Sequence, residues 1–213
     1  MLKNYDAEAV AEVMGIGFWD DPGKHPVIAA RAAKAGRPSK TTAGTHGKIF
    51  VIDVNHAPLR IVDIRAGRAD KRGSGSQEHP GVPNLAMRPA SPVLIEKAVE
   101  QGLPRVVLRH VAEQIAGADK TKIAALEWGI VPKTTLERRE AQLSPLESER
   151  TERVARLFVH ARRALGSEAE AREFITAPHP QLDGRTPIDA AMTDLGARRA
   201  EQILNALEYG LAL

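Results

Sequence analysis

Cysteine is absent from this chain of 213 residues, which excludes disulfides and thiolate metal ligands. Aromatic residues make up only 4% of it, so leucine, isoleucine, valine and alanine must build the core. The sequence has no apolar run of the length that a bilayer requires, and its first residues lack the apolar segment of a secretory signal. These absences predict a cytoplasmic protein that does not enter a membrane.

The charge is weakly positive, with a formal net charge of +3 and an isoelectric point near 9.3. Such a balance is compatible with nucleic-acid binding but does not demonstrate it. The seven histidines show no ligand spacing, and the C-terminal part holds no nucleophile–base pair. We therefore expect no enzyme activity, no catalytic residue, no metal site and no cofactor, and the pattern points to binding.

Residues 1–90 differ in pattern from the rest of the chain. Short helices are predicted over Ala7–Met14, which ends at a glycine, and over Val27–Ala35. Two β-branched runs, Lys48–Val54 and Leu59–Arg65, are separated by turn residues and predict a hairpin. The glycine-, serine- and proline-rich stretch that follows indicates a linker.

Helical periodicity begins near Ser91, and one joint has the spacing of a helix-turn-helix. Gly129 is predicted to break the first helix, and Glu127–Val131 is predicted to form the turn. Ile130 would then fill the angle between the two helices, and Pro132 would open the second helix.

Two interpretations of this joint remain open. In one, the second helix enters a DNA major groove, where lysine and threonine reach phosphates or base edges and arginine reads guanine. The residues presented would be Lys133, Thr134, Thr135, Arg138 and Arg139. In the other, two packed helices carry solvated charges, which Glu137 and Glu140 favour by diluting the positive face.

The C-terminal part contains three helix-start signals. Ser144 and Ser167 each begin a capping box, and Thr186 repeats the pattern with Asp189 at the third helical position. The last helix is predicted to stop at Gly210. Its apolar stripe is predicted to consist of Leu195, Ile203, Leu204 and Leu207.

The loop Gly184–Pro187 and the residues after Gly210 are candidate recognition elements. Their plain alternatives are a tight interhelical turn and a frayed end. The residues concerned in the first element are Gly184, Arg185, Thr186 and Pro187, and those in the second are Tyr209, Gly210, Leu211, Ala212 and Leu213.

Taken in order, these features resemble the antitoxins of the Xre/MbcA/ParS type, whose partners are toxins with a RES domain. The resemblance covers Gly102–Leu213. It is carried by the helix-turn-helix-like joint and by several ordered segments: Leu143–Arg150, Ala171–Ile175, Ala177–Pro187, Asp194–Gly196 and Ala206–Gly210. Phe174–Ile175 stands where a tryptophan–leucine pair is usual, and Trp128 is larger than the residue usual in the turn.

The resemblance implies a type II antitoxin that neutralises a RES-domain, NAD-consuming toxin by covering its active site, forms a homodimer and binds its own promoter. It places Gly184–Pro187 and Tyr209–Leu213 at the toxin, and Thr134, Thr135, Arg138 and Arg139 on a recognition helix. The alternative is a plain helix-turn-helix transcriptional regulator with a C-terminal dimerisation domain. An enzyme with its site near the N-terminus ranks third.

The expected fold is mainly α, with a helix-turn-helix-like segment, a C-terminal helical domain and a possible β-hairpin near the N-terminus. We predict an N-terminal segment with linker over residues 1–90, a helix-turn-helix-like domain over 91–142 and a toxin-binding domain over 143–213. A chain that starts at Met87 is accordingly expected to fold and to neutralise the toxin.

Overall fold

The computed structural model describes residues 5–19, 50–53, 60–63, 87–138 and 142–210. Within these ranges the fold is mainly α, as predicted. Several features named from the sequence lie outside the described residues: the predicted helix Val27–Ala35, the predicted linker up to residue 86, the residues Arg139 and Glu140, and the segment Leu211–Leu213.

The helices and strands follow one another along the chain with a small sheet near the N-terminus. The helices are α1 Ala7–Met14, α2 Pro92–Gln101, α3 Arg105–Ala116, α4 Lys120–Ile130, α5 Lys133–Arg138, α6 Pro145–Leu165, α7 Glu168–Thr176, α8 Pro187–Ala190 and α9 Asp194–Glu208, with a 3-10 turn at Pro180–Leu182. The strands are β1 Ile16–Trp19, β2 Phe50–Asp53, β3 Arg60–Asp63 and β4 Met87–Arg88.

The predicted hairpin is confirmed, because β2 and β3 pair antiparallel, with Phe50 opposite Asp63 and Asp53 opposite Arg60. The sequence did not reveal the rest of the sheet, whose strand order is β3-β2-β1-β4. β1 runs parallel to β2 and antiparallel to β4. The two residues of β4 fall in the stretch predicted as a linker, so part of that stretch is paired.

Helix α1 belongs to the same buried core as the C-terminal helices. Asp6 caps its first turn, and Gly15 ends it as predicted. Val10, Met14 and Phe18 are fully buried, and α1 packs against α6, α3 and α2. The division of the chain at residues 90 and 142 stays a prediction, but the buried cluster is continuous across both limits. The expectation that a chain starting at Met87 folds does not fit this packing.

The three predicted helix starts are present. At Ser144 the capping box is complete. The Glu147 amide donates to Ser144 Oγ, and the Ser144 amide donates to Glu147 Oε2 at 2.6 Å. Ser167 and Thr186 each accept one backbone N–H, from Glu170 at 3.2 Å and from Asp189 at 3.1 Å. These caps satisfy amide groups that a helix leaves unpaired at its beginning.

Helix α6 is the centre of the core, and α1, α2, α7 and α9 pack around it. Phe158 and Val154 are fully buried on it. Ser148, also buried, accepts from the Leu103 amide at 2.8 Å and donates to the Ser144 carbonyl at 2.8 Å. This hydroxyl therefore ties the α2–α3 junction to the first turn of α6.

Two predicted details are wrong. Helix α4 continues through Gly129 to Ile130, so the joint before α5 is Val131–Pro132 rather than Glu127–Val131. An exposed glycine weakens a helix without ending it, whereas the residue before a proline is driven to extended backbone, as Val131 is. Ile130 is buried as predicted.

The second error concerns the apolar stripe of α9. Ile203 and Leu204 are buried, but Leu195 is 73% exposed and Leu207 is 39% exposed. The buried face of α9 is completed instead by Ala197 and Ala200, because small residues let α9 lie close to its neighbours. The two leucines are therefore free for contacts outside the core.

Gly196 of α9 lies very close to the Ala190 carbonyl at the end of α8. Gly196→Ala is therefore expected to destabilise the protein. A Cβ at this position collides with the Ala190 carbonyl oxygen and lies 2.9 Å from Thr193 Oγ1. Forcing a methyl group into such a contact costs about 1–3 kcal/mol, which urea unfolding measures directly.

The matched control is Gly129→Ala, which adds the same methyl group inside α4, where nothing lies within 4 Å. Alanine favours a helix interior over glycine by about 0.8–1 kcal/mol, so this variant should gain stability. Equal effects of the two substitutions would contradict both the close α8–α9 contact and the continuation of α4 through Gly129.

Candidate functional site

The loop between α7 and α8 is closed by its own backbone hydrogen bonds. The His179 amide donates to the Arg185 carbonyl at 3.0 Å, and the Gly184 amide donates to the His179 carbonyl at 3.2 Å. Asp183 and Gly184 both have positive φ, of 59° and 74°, which turns the chain sharply. Leu182 is fully buried beneath them. The predicted tight turn is thus an ordered loop.

Arg199 of α9 holds this loop from the side. Its guanidinium contacts Asp183 Oδ2 at 2.8 Å and donates to the Gln181 carbonyl at 2.6 Å. The hydrogen bond from Arg199, followed by its charge, lowers the pKa of the Asp183 carboxyl, and the same contact raises the pKa of Arg199. Because both groups are solvent-exposed, the contact serves mainly to orient the loop on α9.

The predicted contact residues of the loop divide into two pairs. Gly184 and Arg185 are exposed. Thr186 is half-buried and caps α8, and Pro187 is buried at the first position of that helix. Gly184 and Arg185 are therefore available to a partner, whereas Thr186 and Pro187 hold the loop in place from within.

An exposed face of α9 continues this loop surface. Leu195, Arg199 and Gln202 follow helical spacing along one side of α9, and Tyr209 comes directly after its last residue. Leu195 is 73% exposed and Tyr209 is 62% exposed. We call these four residues, together with Asp183, Gly184 and Arg185, the α9–loop surface.

The sequence analysis missed four members of this surface: Asp183, Leu195, Arg199 and Gln202. Leu195 was assigned to the core, because its spacing from Ile203 and Leu204 fits a helix face. Asp183 and Arg199 were not singled out, because their contact joins residues 16 positions apart across a loop. The positive φ of Asp183 has a sequence signal, since aspartate before glycine is frequent in such turns.

The end of α9 is fixed on α6. Arg163 makes two 2.9 Å contacts with the Glu208 carboxylate, and His160 Nε2 lies 3.4 Å from it. The hydrogen bond from Arg163 lowers the pKa of Glu208. Tyr209 follows the helix, and Gly210 takes a φ of 62°, the left-handed conformation that is common just after the end of a helix.

The second candidate surface lies on α5 and the end of α4. Leu136 is 3% exposed and anchors α5, a helix of six residues. Lys133, Thr134 and Arg138 are exposed, and Thr135 is half-buried. The described part of the predicted recognition helix therefore turns three of its four candidate residues toward solvent.

Helix α4 is held in place by an ion pair with α3. Arg109 lies 3.1 Å from Glu113 and 3.5 Å from the buried Glu127. Burial raises the pKa of Glu127, and the charge of Arg109 opposes that shift. A groove of about 630 Å³ lies among α3, α4, α7 and α8, and it is lined in part by Lys122, Gly129, Thr186 and Asp189.

Two further observations bear on the chemistry that the described part of the chain can support. No group of three or more histidine, aspartate and glutamate side chains there is placed to hold a metal ion. Among the helices in those same ranges, none has both the length and the apolar character needed to cross a membrane.

Comparison with known proteins identifies the C-terminal part. Residues 160–210 match the family described as the antitoxin Xre/MbcA/ParS C-terminal toxin-binding domain. The matched region runs from the last turns of α6 to Gly210 and includes the whole α9–loop surface, whereas α4 and α5 lie outside it. No curated protein matches the chain. The resemblance to these antitoxins is confirmed over residues 160–210, which are similar to the toxin-binding domain of that family.

Proposed function

We propose that this protein is the antitoxin of a type II toxin–antitoxin system and that it neutralises a RES-domain, NAD-consuming toxin in the cytoplasm by covering the toxin's active site. The observation that carries the proposal is the match of residues 160–210 to an antitoxin toxin-binding domain. We assign the toxin contact to the α9–loop surface and to residues 211–213.

The geometry of this surface supports a protein partner. Tyr209 offers an exposed side chain of the kind that anchors interfaces, and a tyrosine orders at low entropic cost, while Leu195 adds exposed apolar area to the same surface. Arg199 already fixes the loop, so a partner need not order it. Gly184 lets a partner backbone approach closely, because nothing lies within 4 Å of its missing side chain.

The charge of Arg185 on the α9–loop surface indicates which kind of group on the toxin it would contact. Arg185 is 44% exposed at its side chain. Its Nε donates to the Leu182 carbonyl at 3.2 Å, and a terminal nitrogen lies 3.6 Å from Asp183, which is already engaged by Arg199. An exposed guanidinium binds carboxylate or phosphate groups well, often through two parallel hydrogen bonds. We therefore propose that Arg185 meets an acidic group at the rim of the toxin's active site.

Copurification tests this proposal against a plain regulator. We expect a tagged RES-domain toxin, co-expressed with this chain, to retain it through size-exclusion chromatography and to lose its NAD-consuming activity in the complex. A toxin of an unrelated fold serves as the control. Separate elution of the two proteins, with full toxin activity, would refute the antitoxin role.

We also propose that the protein is a homodimer that binds its own promoter through α4 and α5. The support is the exposed, partly cationic face of α5, whose Leu136 anchors it beside α4. A dimer would present two such helices to successive turns of duplex DNA, as helix-turn-helix proteins do.

Replacing Arg138 and Arg139 by alanine should weaken promoter binding. Each phosphate contact that is lost reduces the slope of log affinity against log salt by about 0.9, so the double variant should show a slope smaller by up to about two. Fluorescence anisotropy over a salt series measures both quantities.

Toxin neutralisation should survive this change, because residues 160–210 do not include α5. The matched control is Arg198→Ala, an exposed arginine of α9 that pairs with Asp194. If the double variant binds the promoter with wild-type affinity and the wild-type salt slope, α5 is not part of the DNA interface.

A further inference from the structure

Trp128 is an exposed tryptophan at the end of α4. Its exposed fraction is 45%, although large aromatic side chains are usually mostly buried. The Lys133 Nζ atom lies 4.9 Å from the centroid of its ring, across the Val131–Pro132 joint. This cation–π contact links the last turn of α4 to the first residue of α5.

We infer that Trp128 and Lys133 form a clamp for the sugar–phosphate backbone of duplex DNA. The inference rests on the proposed promoter binding and adds two contacts that carry no sequence information. Lys133 supplies a point charge for a phosphate, and the ring restrains the flexible lysine stem beneath it. The apolar body of Trp128 then packs against the adjacent deoxyribose.

The charges on α4 and α5 favour nucleic acid over a protein partner. Lys120 and Lys122 on α4 and Arg138 on α5 are also exposed. Of the two acids on these helices, Glu127 is buried against Arg109. Glu137 lies 3.9 Å from Lys133 on the surface, a weak contact that a phosphate displaces readily.

The lysine of the pair and the position of the pair in the chain also favour DNA as the partner. Lysine is depleted in protein–protein interfaces, whereas it is a common partner of phosphates. The pair also lies outside residues 160–210, the region that matches a toxin-binding domain. An exposed tryptophan beside a lysine, outside the toxin-binding domain, fits a contact with the DNA backbone.

The experiment measures binding of the full-length chain to two labelled duplexes. One carries the region upstream of its own reading frame, and the other is a scrambled duplex of the same length. Trp128→Ala should weaken binding about two- to fivefold, because the lost packing on the deoxyribose is expected to be comparable in size to one exposed cation–π contact. Lys133→Ala should lower the salt slope by about 0.9. Both effects should be similar on the two duplexes, because a backbone contact does not read bases.

A double-mutant cycle tests the coupling of the two side chains. The effect of Lys133→Ala should shrink in the Trp128→Ala background, because the ring that restrains the lysine is gone. Lys97→Ala, which removes an exposed lysine from α2, is the charge control and should change neither affinity nor slope beyond error. Unchanged melting temperatures establish that each variant is folded.

Three results would overturn the inference. If Trp128→Ala binds both duplexes with wild-type affinity, the clamp does not exist, although promoter binding still stands. If Trp128→Ala no longer copurifies with the toxin but binds DNA as the wild type does, Trp128 contacts the toxin rather than DNA. Failure of the wild-type chain to bind either duplex would refute the promoter-binding proposal and the clamp together.

Discussion

A chain that begins at Met87 is expected to lose its cooperative fold, because it lacks α1 and β1. Val10, Met14 and Phe18 are fully buried against the helical core, and Val13 is 1% exposed. Burying each large apolar side chain contributes about 1.5–3 kcal/mol. The total is comparable to the whole free energy of unfolding of a domain, about 5–15 kcal/mol. Circular dichroism during urea unfolding should show a broad transition or none.

Point variants in the full-length chain separate this packing effect from the loss of other N-terminal residues. Val10→Asp places a carboxylate in the buried face of α1 and should reproduce most of the destabilisation. Glu12→Ala changes the exposed face of the same helix and should be nearly neutral. A Met87 chain that unfolds as cooperatively as the full-length protein would show that α1 is dispensable.

The starts of the helices could be predicted because their signals are local. At Ser144 and Thr186 the capping side chain and the amide that it accepts from lie within one turn, so the sequence window contains the whole interaction. Helix α1 was predicted for the same reason. Its partners were not, because an eight-residue amphipathic pattern shows that one face is buried but not against what.

The parts that could not be predicted depend on contacts between distant segments. The parallel pairing of Ile16 with Phe50 joins strands that are separated by a long stretch of chain. The exposure of Leu195 follows from how α8 and α9 pack around Gly196, which periodicity alone does not specify. Gly129 misled the prediction, because α4 tolerates it and Pro132 sets the joint.

The candidate site was predicted through its motif and completed by the structure. The sequence supplied Gly184–Pro187 and Tyr209, which fall in the matched toxin-binding domain. The structure joined them into one surface through the contact between Asp183 and Arg199. The assignment of Lys133, Thr134, Thr135, Arg138 and Arg139 to DNA stays a prediction.

The end of α9 gives a physical reason to assign the toxin contact to residues 211–213. Arg163 and His160 hold Glu208, so the last turn of α9 has a fixed position on α6. Gly210 follows with a φ of 62°, a conformation that is common just after the end of a helix. The next residues in the sequence are Leu211, Ala212 and Leu213. Apolar side chains that leave a fixed exit point can enter a cleft on a partner with little further ordering of the domain.

Deletion of Leu211–Leu213 is therefore expected to abolish protection of cells that express the toxin. Burial of two leucines is worth about 3–6 kcal/mol, so the complex should weaken by about 100-fold or more. Growth after toxin induction and titration calorimetry measure the two effects, while the melting temperature and promoter affinity should not change. Leu207→Ser, an exposed leucine on another face of α9, should keep full protection. Full protection by the shortened chain would instead assign neutralisation to the α9–loop surface alone.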